Sequence, residues 1–443
     1  MDIIRPHTLS GFMELLPEPQ LRMNAILDIL RDTYERYGFT PLDTPTIESA
    51  EVLLAKGGGE TEKQIYRFQK GDSDLALRFD LTVPLAKYAA LNYGQLTFPF
   101  RRYQIGKVYR GERAQRGRFR EFYQADIDVI GDGKLDVANE AEMPAIICDA
   151  FHRLGLTRFV IRFNNRKVLN GLFDLYGLGD RAATALQTID KLEKIGRDKV
   201  EEILVTELSL PAAQAASLLD VIVSNNPFAL RGQTPLLDEG LQELETVTGL
   251  LPQLGVAPEN WALDLTIARG LDYYTGTVYE TQLTDYPELG SVCSGGRYDN
   301  LAAYYINKPL PGVGVSIGVT RLFFVLQEQG LLNPEALAAP CDALVIPMGP
   351  EQMSFAAAVA TTLRRAGVRT QLYNEQKKPK QKFAYADKLG IPFAVILGED
   401  EQAQQLVSLK NLRSGEQQLL SAPAAADLIL RQSAATVPPI REK

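Results

Sequence analysis

A dense cluster of basic side chains in the first third of the chain indicates the chemistry of this protein. Between positions 101 and 120 there are eight Lys or Arg residues and one acidic residue, although the whole protein has a formal net charge of -8. Cations concentrated in this way predict a strongly anionic ligand, and the alternative is a solvated basic surface. The cluster consists of Arg101, Arg102, Lys107, Arg110, Arg113, Arg116, Arg118 and Arg120, with Glu112 as the acidic residue.

The residues on either side of the cluster predict the elements that position it. Residues 103–109 and 122–130 have the alternating composition of strands, and residues 111–117 between them have that of a turn. We therefore predict an antiparallel hairpin with an arginine-rich loop. Because side chains alternate along a strand, Gln124, Asp126 and Asp128 share one face. A row of carboxylates and an amide beside arginines suits a zwitterionic substrate.

The composition places the chain among globular proteins. At 443 residues it is long for one domain, and 45% hydrophobic and 23% charged residues argue against disorder. There is no apolar run of roughly 18 residues, as a membrane span requires, and the first 17 residues lack the layout of a signal peptide. We expect a cytoplasmic protein with no membrane partner.

Cysteine and histidine are too few and too scattered for several kinds of site. Cys148, Cys293 and Cys341 predict neither a disulfide framework nor a zinc site, and we assign no side chains as metal ligands. With His7 and His152 as the two histidines, a catalytic triad is not expected.

The chain changes character along its length. Strand-forming segments dominate the first part and return after a helix-rich stretch, for which the residues indicate no chemistry. After a proline-containing linker, strands alternate with helices, which predicts a separate α/β domain. The predicted boundaries are 1–167 with 261–332 for the first domain, 168–260 for the helical insertion, 333–340 for the linker, 341–434 for the α/β domain and 435–443 for a tail.

A second group of cations lies in the C-terminal domain, where residues 340–443 carry a net charge of +3. Lysines there are interleaved with aromatic residues, and base stacking combined with phosphate attraction is typical of contacts to single-stranded RNA. A solvated lysine-rich helix is the alternative. The side chains concerned are Lys377, Lys378, Lys380 and Lys382, followed by Phe383 and Tyr385.

The first basic cluster resembles motif 2 of the class II aminoacyl-tRNA synthetases, and in detail that of the histidyl-tRNA synthetase family. Residues 109–113 (YRGER) and 118–124 (RFREFYQ) carry this likeness. The segment RGLDYYTGTVYE at 269–280 resembles a signature peculiar to the family, and SGGRYDNL at 294–301 resembles its companion. Residues 311–322 resemble motif 3, so the likeness covers nearly the whole chain and is weakest in the insertion.

The resemblance implies a fold and an activity. The expected fold is an α+β class II synthetase catalytic domain, an antiparallel sheet flanked by helices, with a helical insertion and a C-terminal α/β anticodon-binding domain. The implied enzyme activates L-histidine with ATP and Mg²⁺ to histidyl-adenylate, then transfers the acyl group to the 3′ end of tRNA(His). Pro45, which matches the proline of motif 1, implies a homodimer.

The resemblance also implies roles for individual residues. Arg110 and Arg269 match the arginines at the α-phosphate and the substrate carboxylate, and they are the expected catalytic residues. Besides these two, the implied histidine-binding residues are Asp80, Thr82, Gln124, Asp128, Tyr273 and Tyr274. Besides Arg110, the implied ATP-binding residues are Glu112, Arg118, Phe122 and Arg321. The implied tRNA contacts are Gln115 and Arg116 in the hairpin loop, with Lys377, Lys378, Lys380 and Lys382 in the C-terminal domain.

Two positions depart from the family pattern, and two other functions stay open. Thr320 stands where the family usually has glutamate before the arginine of motif 3, and Asp128 stands where bacterial relatives often have glutamate. One alternative function is a non-catalytic regulatory subunit of ATP phosphoribosyltransferase, which lacks the anticodon-binding domain. The other is a binding module that senses uncharged tRNA, which we would expect beside a kinase domain.

Overall fold

The computed structural model describes residues 3–55, 60–113, 116–268, 273–333, 336, 339–433 and 438–441. These residues form two units. The first contains the residues up to Glu14 and Leu27–Leu331, and the second contains Leu15–Ile26 and Leu332–Arg441. Within the described ranges, no helix combines the length and the apolar character needed to cross a membrane.

A mixed sheet, with eight strands in the described chain, organises the first unit. In sheet order the strands are β1 (Thr40–Pro41), β5 (Phe100–Tyr109), β6 (Glu121–Ile130), β11 (Gly312–Gly318), β10 (Cys293–Tyr298), β9 (Thr277–Leu283), β7 (Phe159–Asn165) and β8 (Trp261–Leu263). Neighbours from β5 to β7 pair antiparallel, and β1 and β8 form parallel pairs at the edges. The predicted antiparallel sheet is confirmed, and its hairpin β5–β6 carries the basic cluster.

A small sheet and several helices accompany the large sheet. The small sheet consists of β2 (Ile47–Ser49), β4 (Ser73–Leu77) and β3 (Arg67–Lys70), which pair antiparallel in that order. Helix α1 (Pro17–Arg36), of which the residues up to Ile26 belong to the second unit, buries Met23, Ile26 and Leu30, as the helical spacing of its apolar residues requires. Further helices are α2 (Ala50–Leu53), α3 (Glu60–Gln64), α4 (Thr82–Leu91), α5 (Ala138–Leu154) and α12 (Val319–Glu328).

The predicted insertion is helical. Its longest helix, α11 (Pro235–Leu250), packs against α6 (Arg166–Leu175), where Gly240 lies directly against Val168. The side chain of Asn165 caps α6 by accepting a backbone N–H at 2.9 Å. Between these two helices lie α7 (Ala182–Ile189), α8 (Leu192–Ile195), α9 (Arg197–Thr206) and α10 (Ala212–Ser224).

A second sheet, five-stranded over the residues that are described, organises the second unit. In sheet order its strands are β13 (Thr370–Leu372), β12 (Ala343–Pro347), β14 (Phe393–Leu397), β15 (Val407–Asn411) and β16 (Gln417–Leu420). The first three are parallel, and the last two are added antiparallel. The helices are α13 (Met353–Arg365), α14 (Pro379–Lys388), α15 (Glu399–Gln404) and α16 (Ala422–Ser433). This alternation confirms the predicted α/β domain.

Two glycines of α11 provide a stability prediction. A Cβ at Gly240 would lie 2.7 Å from the backbone nitrogen of Val168, whereas a Cβ at Gly249 would meet no atom within 4 Å. We expect Gly240→Ala to lower the free energy of unfolding by about 1–3 kcal/mol through overpacking. We expect Gly249→Ala to raise it by up to about 1 kcal/mol, because alanine favours the helix. Urea denaturation measures the free energy of unfolding of both variants. The same change in both would contradict the close packing of α11 against α6 at Gly240.

Candidate active site

The long hairpin places a row of polar side chains on one face of the large sheet. Gln124, Asp126 and Asp128 alternate along β6, and each is at most 9% exposed. The apolar residues between them are fully buried on the opposite face, as the period of a strand requires. In the register of the hairpin, Asp128 lies opposite Arg102.

The centre of this row is a buried ion pair. The guanidinium of Arg102 is completely buried and lies 2.7 Å from one carboxylate oxygen of Asp128. The other oxygen of Asp128 accepts a hydrogen bond of 2.7 Å from the hydroxyl of Tyr298, and Arg102 also donates to the carbonyl of Leu81 at 3.2 Å. Arg102 therefore already pairs with a carboxylate inside the protein, which corrects the interpretation of the whole basic cluster as free, ligand-binding cations.

Two further buried carboxylates accompany this pair. One oxygen of Asp80 accepts the backbone N–H of Val83 at 3.0 Å, whereas Oδ2 of Asp80 and Oδ1 of Asp126 have no hydrogen-bond partner among the described residues. Burial raises the pKa of Asp80 and Asp128 to about 6 and that of Asp126 to about 7, and Arg102 opposes each shift. Three carboxylates thus accompany one fully buried guanidinium, and the excess of negative charge suits a cationic group.

Three tyrosines form an aromatic wall beside the carboxylates. The ring centroids of Tyr273 and Tyr274 are 5.0 Å apart, and those of Tyr273 and Tyr298 are 5.9 Å apart. Thr82, the first residue of α4, forms a hydrogen bond with the side chain of Tyr273. Burial raises the pKa of Tyr273 and Tyr274 above the ordinary value for tyrosine, so both hydroxyls keep their protons and can donate hydrogen bonds.

Glycines on the neighbouring strands let the carboxylates and the tyrosines pack closely; these side chains are called the anionic pocket below. A Cβ at Gly314 would lie 2.1 Å from Oδ1 of Asp128, and a Cβ at Gly296 would lie 2.9 Å from the ring of Tyr274. A side chain at either position would displace a group of the pocket. The glycines of β10 and β11 therefore permit close packing around the carboxylates.

A cavity of about 370 Å³ adjoins the row on β6, and Gln124 belongs to both. Each of the five residues predicted to bind ATP lines this cavity, so the structure brings that group together. The lining residues are Gln64, Arg110, Glu112, Gly117, Arg118, Phe119, Phe122, Gln124, Ser291, Val292, Ser294, Ser316, Gly318 and Arg321.

Arg110 and Arg118 bring positive charge to one side of the cavity. The guanidinium of Arg110 lies 5.1 Å from the centre of the Phe122 ring and donates to the carbonyl of Phe79 at 3.0 Å. Arg118 lies 3.7 Å from the carboxylate of Glu112. Neither the ring nor the carbonyl that holds Arg110 carries a formal negative charge, so the guanidinium can still pair with an anion.

Arg321, near the start of α12, brings a further guanidinium to the cavity. It donates to the carbonyl of Ser291 at 3.0 Å and also to the carbonyl of Leu289. Burial, assisted by the neighbouring Arg118, lowers the pKa of Arg321. A partly buried cation that is oriented by carbonyl groups is suited to stack on a planar ring.

Other cations of the basic cluster are used within the first unit. Arg101 pairs with Glu142 and Lys107 pairs with Glu121, each at 2.8 Å. Arg120 donates to two backbone carbonyls. Much of the local charge therefore holds the hairpin in place, and fewer cations face the cavity than the sequence predicted.

Among the described residues, none that is predicted to contact tRNA lines the cavity, and one predicted contact lies outside the described ranges. Gln115, and the predicted catalytic Arg269, lie outside the described residues. The side chain of Arg116 is 72% exposed and pairs with Glu328 at 2.9 Å. Three predicted contacts are exposed in the second unit near the start of α14, namely Lys377, Lys378 and Lys380.

Lys382 requires a correction. Its side chain is 4% exposed, and its ammonium donates to the carbonyl of Pro347 at 2.5 Å and lies 5.8 Å from the centre of the Tyr373 ring. Burial lowers the pKa of this ammonium. Because the charged group is engaged inside the second unit, we remove Lys382 from the predicted tRNA contacts.

The structure adds site residues that the sequence did not single out. Arg102 was not found, because a hairpin that turns symmetrically at 111–117 would place it opposite Asp126, whereas the observed register pairs Arg102 with Asp128. Tyr298 and Ser316 reach the row from β10 and β11; Ser316 accepts a hydrogen bond of 2.7 Å from Gln124. These strands are distant along the chain, so no local signal identifies the two residues.

Both parts of the chain match known protein families. A family model described as histidyl-tRNA synthetase matches residues 11–322, and one described as an anticodon binding domain matches residues 342–432. A protein of Clostridium tetani named histidine–tRNA ligase is 52% identical over 436 residues, which cover 97% of this chain and 99% of that protein. A protein of the same name from Xanthomonas axonopodis pv. citri is 46% identical over 443 residues, covering 93% of this chain and 92% of that protein.

Solved structures show the same similarity. Histidyl-tRNA synthetase from Nostoc sp. PCC 7120 has a TM-score of 0.88 and 42% identity, covering 97% of this chain and 100% of that chain. A Bacillus halodurans protein described as an ATP phosphoribosyltransferase regulatory subunit/histidyl-tRNA synthetase has a TM-score of 0.73 at 23% identity over 90% of this chain, a likeness of fold alone. The family match over most of the length, together with the relatives at 46% identity and above, shows that this chain belongs to the histidyl-tRNA synthetase family.

Proposed function

We propose that this protein activates L-histidine with ATP and transfers the histidyl group to the 3′ end of tRNA(His), as a histidine–tRNA ligase. The proposal is supported by one observation: two oppositely charged sites adjoin each other at Gln124 of β6. Asp80, Asp126 and Asp128 form an anionic pocket, and Arg110 and Arg321 line the cavity that adjoins it. An amino group and a nucleotide have the charges that these two sites complement.

The anionic pocket is the proposed site for L-histidine. Oδ2 of Asp80 and Oε1 of Gln124 are buried acceptors without a partner in the described chain, and an ammonium group can supply the missing donors. Tyr273 and Tyr274 lie beside the imidazole in this proposal. A ligand without imidazole nitrogens would form fewer hydrogen bonds with the polar groups of the pocket, which favours histidine. The proposed amino-group ligands are Asp80, Thr82, Gln124 and Asp128.

The cavity is the proposed site for ATP, which brings Mg²⁺ with it as part of the substrate. Phe122 and Arg321 hold the adenine between a ring and a guanidinium, a type of contact that each side chain makes well. Arg118 and Glu112 bind the nucleotide further along the cavity. The proposal is supported by the common lining that these residues share with Arg110.

Repulsion between like charges is the main obstacle in the first step. The carboxylate oxygen of histidine forms a bond to the α-phosphorus of ATP, and the bond from that phosphorus to the pyrophosphate group breaks. Both reactants are anionic, so fixed cations stabilise the transition state. We assign this role to Arg110 and, from the sequence, to Arg269. Their guanidinium groups keep their charge and can bind two oxygens at once.

The second unit is the proposed site for the anticodon of tRNA(His). Lys377, Lys378 and Lys380 are exposed near the start of α14, and the match to an anticodon-binding model supports this role. Gln115 and Arg116, in the loop of the hairpin, are the proposed contacts to the acceptor end. Both surfaces would attract the phosphates of RNA.

We also propose that the protein is a cytoplasmic homodimer. Cys148, Cys293 and Cys341 are buried and free, which suits a reducing compartment. The homodimer rests on the resemblance of Pro45 to the proline of motif 1.

A regulatory subunit of ATP phosphoribosyltransferase explains the chain less well. Such a regulator lacks the anticodon-binding domain, whereas residues 342–432 match a model of that domain. The cavity also keeps every residue that the resemblance assigned to ATP. Both features favour the ligase.

Exchange of pyrophosphate into ATP, measured with a panel of amino acids, tests the proposed function. We expect exchange with L-histidine and with no other amino acid in the panel. A protein that binds histidine but catalyses no exchange would contradict the ligase function and would favour the regulator. Exchange with a different amino acid would contradict the assignment of the pocket.

Substitution of Arg110 tests its proposed role in the first step. We expect Arg110→Ala to reduce histidine-dependent exchange by about 10²–10³-fold, because a cation at the developing charge is lost. Arg269→Ala is expected to act in the same direction. Lys107→Ala, in the strand β5 that ends just before Arg110 and paired with Glu121, is the matched control. Circular dichroism checks the fold, and exchange by Arg110→Ala at the control rate would remove Arg110 from this role.

Substitution of the exposed lysines tests the proposed anticodon surface. We expect the triple variant Lys377→Gln, Lys378→Gln and Lys380→Gln to raise the KM for tRNA(His) in aminoacylation. Exchange with histidine and ATP should not change, because the first step involves no tRNA. With three cations lost, the dependence of log affinity on log salt should become shallower by about 2.

The exposed Lys70 on β3 provides the control for the loss of a surface cation, as Lys70→Gln. A triple variant with wild-type KM for tRNA and an unchanged salt dependence would place the anticodon contact elsewhere.

A further inference from the structure

Thr320 links the two walls of the nucleotide cavity. Its side chain is 2% exposed in the first turn of α12, and its Oγ1 accepts a hydrogen bond of 2.8 Å from the backbone N–H of Tyr123 in β6. Tyr123 directly follows Phe122, and Arg321 directly follows Thr320. Phe122 and Arg321 both line the cavity. The residue next to each of them, Tyr123 and Thr320, is therefore joined to the other by one hydrogen bond.

The register of the sheet shows why a side chain makes this bond. The ladder between β6 and β11 ends at the pair of Gln124 and Gly318, after which the chain continues into α12. The N–H of Tyr123 lies one residue beyond that last pair. The hydroxyl of Thr320 takes the place of a strand carbonyl and satisfies a donor that the ladder leaves unpaired.

Because of its position, this hydrogen bond can fix the distance between Phe122 and Arg321. It connects the end of β6 to the start of α12, and these two segments carry Phe122 and Arg321. A planar base fits between a ring and a guanidinium over a narrow range of separations. A displacement of about 1 Å at a reacting site can cost a factor of about 10², so a fixed connection matters.

We propose that Thr320 is a positioning residue for ATP. Its hydroxyl, through the N–H of Tyr123, holds Phe122 and Arg321 at the separation that admits the base. Thr320 is not part of the cavity lining as described, and it therefore acts through its neighbours. The inference rests on the proposed function of the cavity, and it assigns a role to the residue at which the sequence departs from the family pattern.

Calorimetric titration with ATP and, separately, with L-histidine tests this role. Thr320→Val keeps the approximate shape of the side chain and removes the acceptor, whereas Thr320→Ser keeps the acceptor. We expect Thr320→Val to weaken ATP binding about tenfold, equivalent to about 1.4 kcal/mol, and Thr320→Ser to stay within about threefold of wild type. Histidine binding should change by less than about twofold in both variants, because the carboxylate pocket keeps its contacts.

The matched control is Thr188→Val, since Thr188 in α7 is also 2% exposed and its hydroxyl bonds to the carbonyl of Thr184 within the insertion. It should leave both affinities unchanged. Thr320→Ala is a second variant without the hydroxyl, with the same expected loss, if Thr320→Val does not fold.

Three results would overturn the inference. The first is a wild-type affinity for ATP in Thr320→Val, or in Thr320→Ala if that variant replaces it. The second is a loss of ATP affinity in Thr320→Ser as large as that in Thr320→Val. The third is a loss of histidine affinity as large as the loss of ATP affinity. If the wild-type protein binds no ATP, the proposed function fails together with the inference. If the wild type binds ATP and the hydroxyl-free variant binds it equally well, the inference fails alone.

Discussion

The burial of three carboxylates beside one fully buried guanidinium is the constraint on which the rest of the site depends. Arg102 and Asp128 form a buried ion pair, in which the loss of either partner would leave an uncompensated charge at a cost of about 3–5 kcal/mol. Asp80 and Asp126 add negative charge that this pair does not balance. The glycines of β10 and β11 and the tyrosine wall enclose the carboxylates, so the charge remains shielded from solvent. In the proposed function, the ammonium group of histidine supplies the opposite charge.

Strand β6 connects the anionic pocket to the cationic cavity. Phe122, near its start, lines the cavity, Gln124 belongs to both sites, and Asp128 lies in the pocket. At about 3.4 Å per residue, these positions are spread over roughly 20 Å of one strand, which is paired to β5 throughout and to β11 from Gln124 onward. In the proposed reaction, this strand fixes the amino group of one substrate relative to the base of the other. Holding two bound reactants in a fixed geometry contributes to catalysis, because the reaction between them becomes effectively unimolecular.

The sequence predicted the architecture well because strand alternation, turn residues and helical spacing are local properties. The hairpin, the helical insertion and the C-terminal α/β domain were all predicted in this way. Local patterns could not show which charges are buried. Arg102 and Lys382 were both included in groups of cations expected to bind a ligand, yet Arg102 pairs with Asp128 and Lys382 donates to a carbonyl inside the second unit. Pairings between distant strands, such as Ser316 with Gln124, also depend on the assembled sheet.

The excess of negative charge in the pocket is the central claim, and the stability of the ligand-free protein as a function of pH tests it most directly. Burial raises the pKa of Asp126 from 3.8 to about 7, so its contribution to stability is fully present below the lower value and is lost as pH rises through the higher one. Asp126→Asn removes this ionisation, and the exposed Asp427→Asn controls for the loss of a carboxylate. The free energy of unfolding is measured by urea denaturation from about pH 4.5 to about pH 8. It should be higher for Asp126→Asn than for wild type, and the difference should grow until about pH 7 and then level off, at on the order of 1 kcal/mol or more. A difference that is constant or that shrinks over this range would contradict the account.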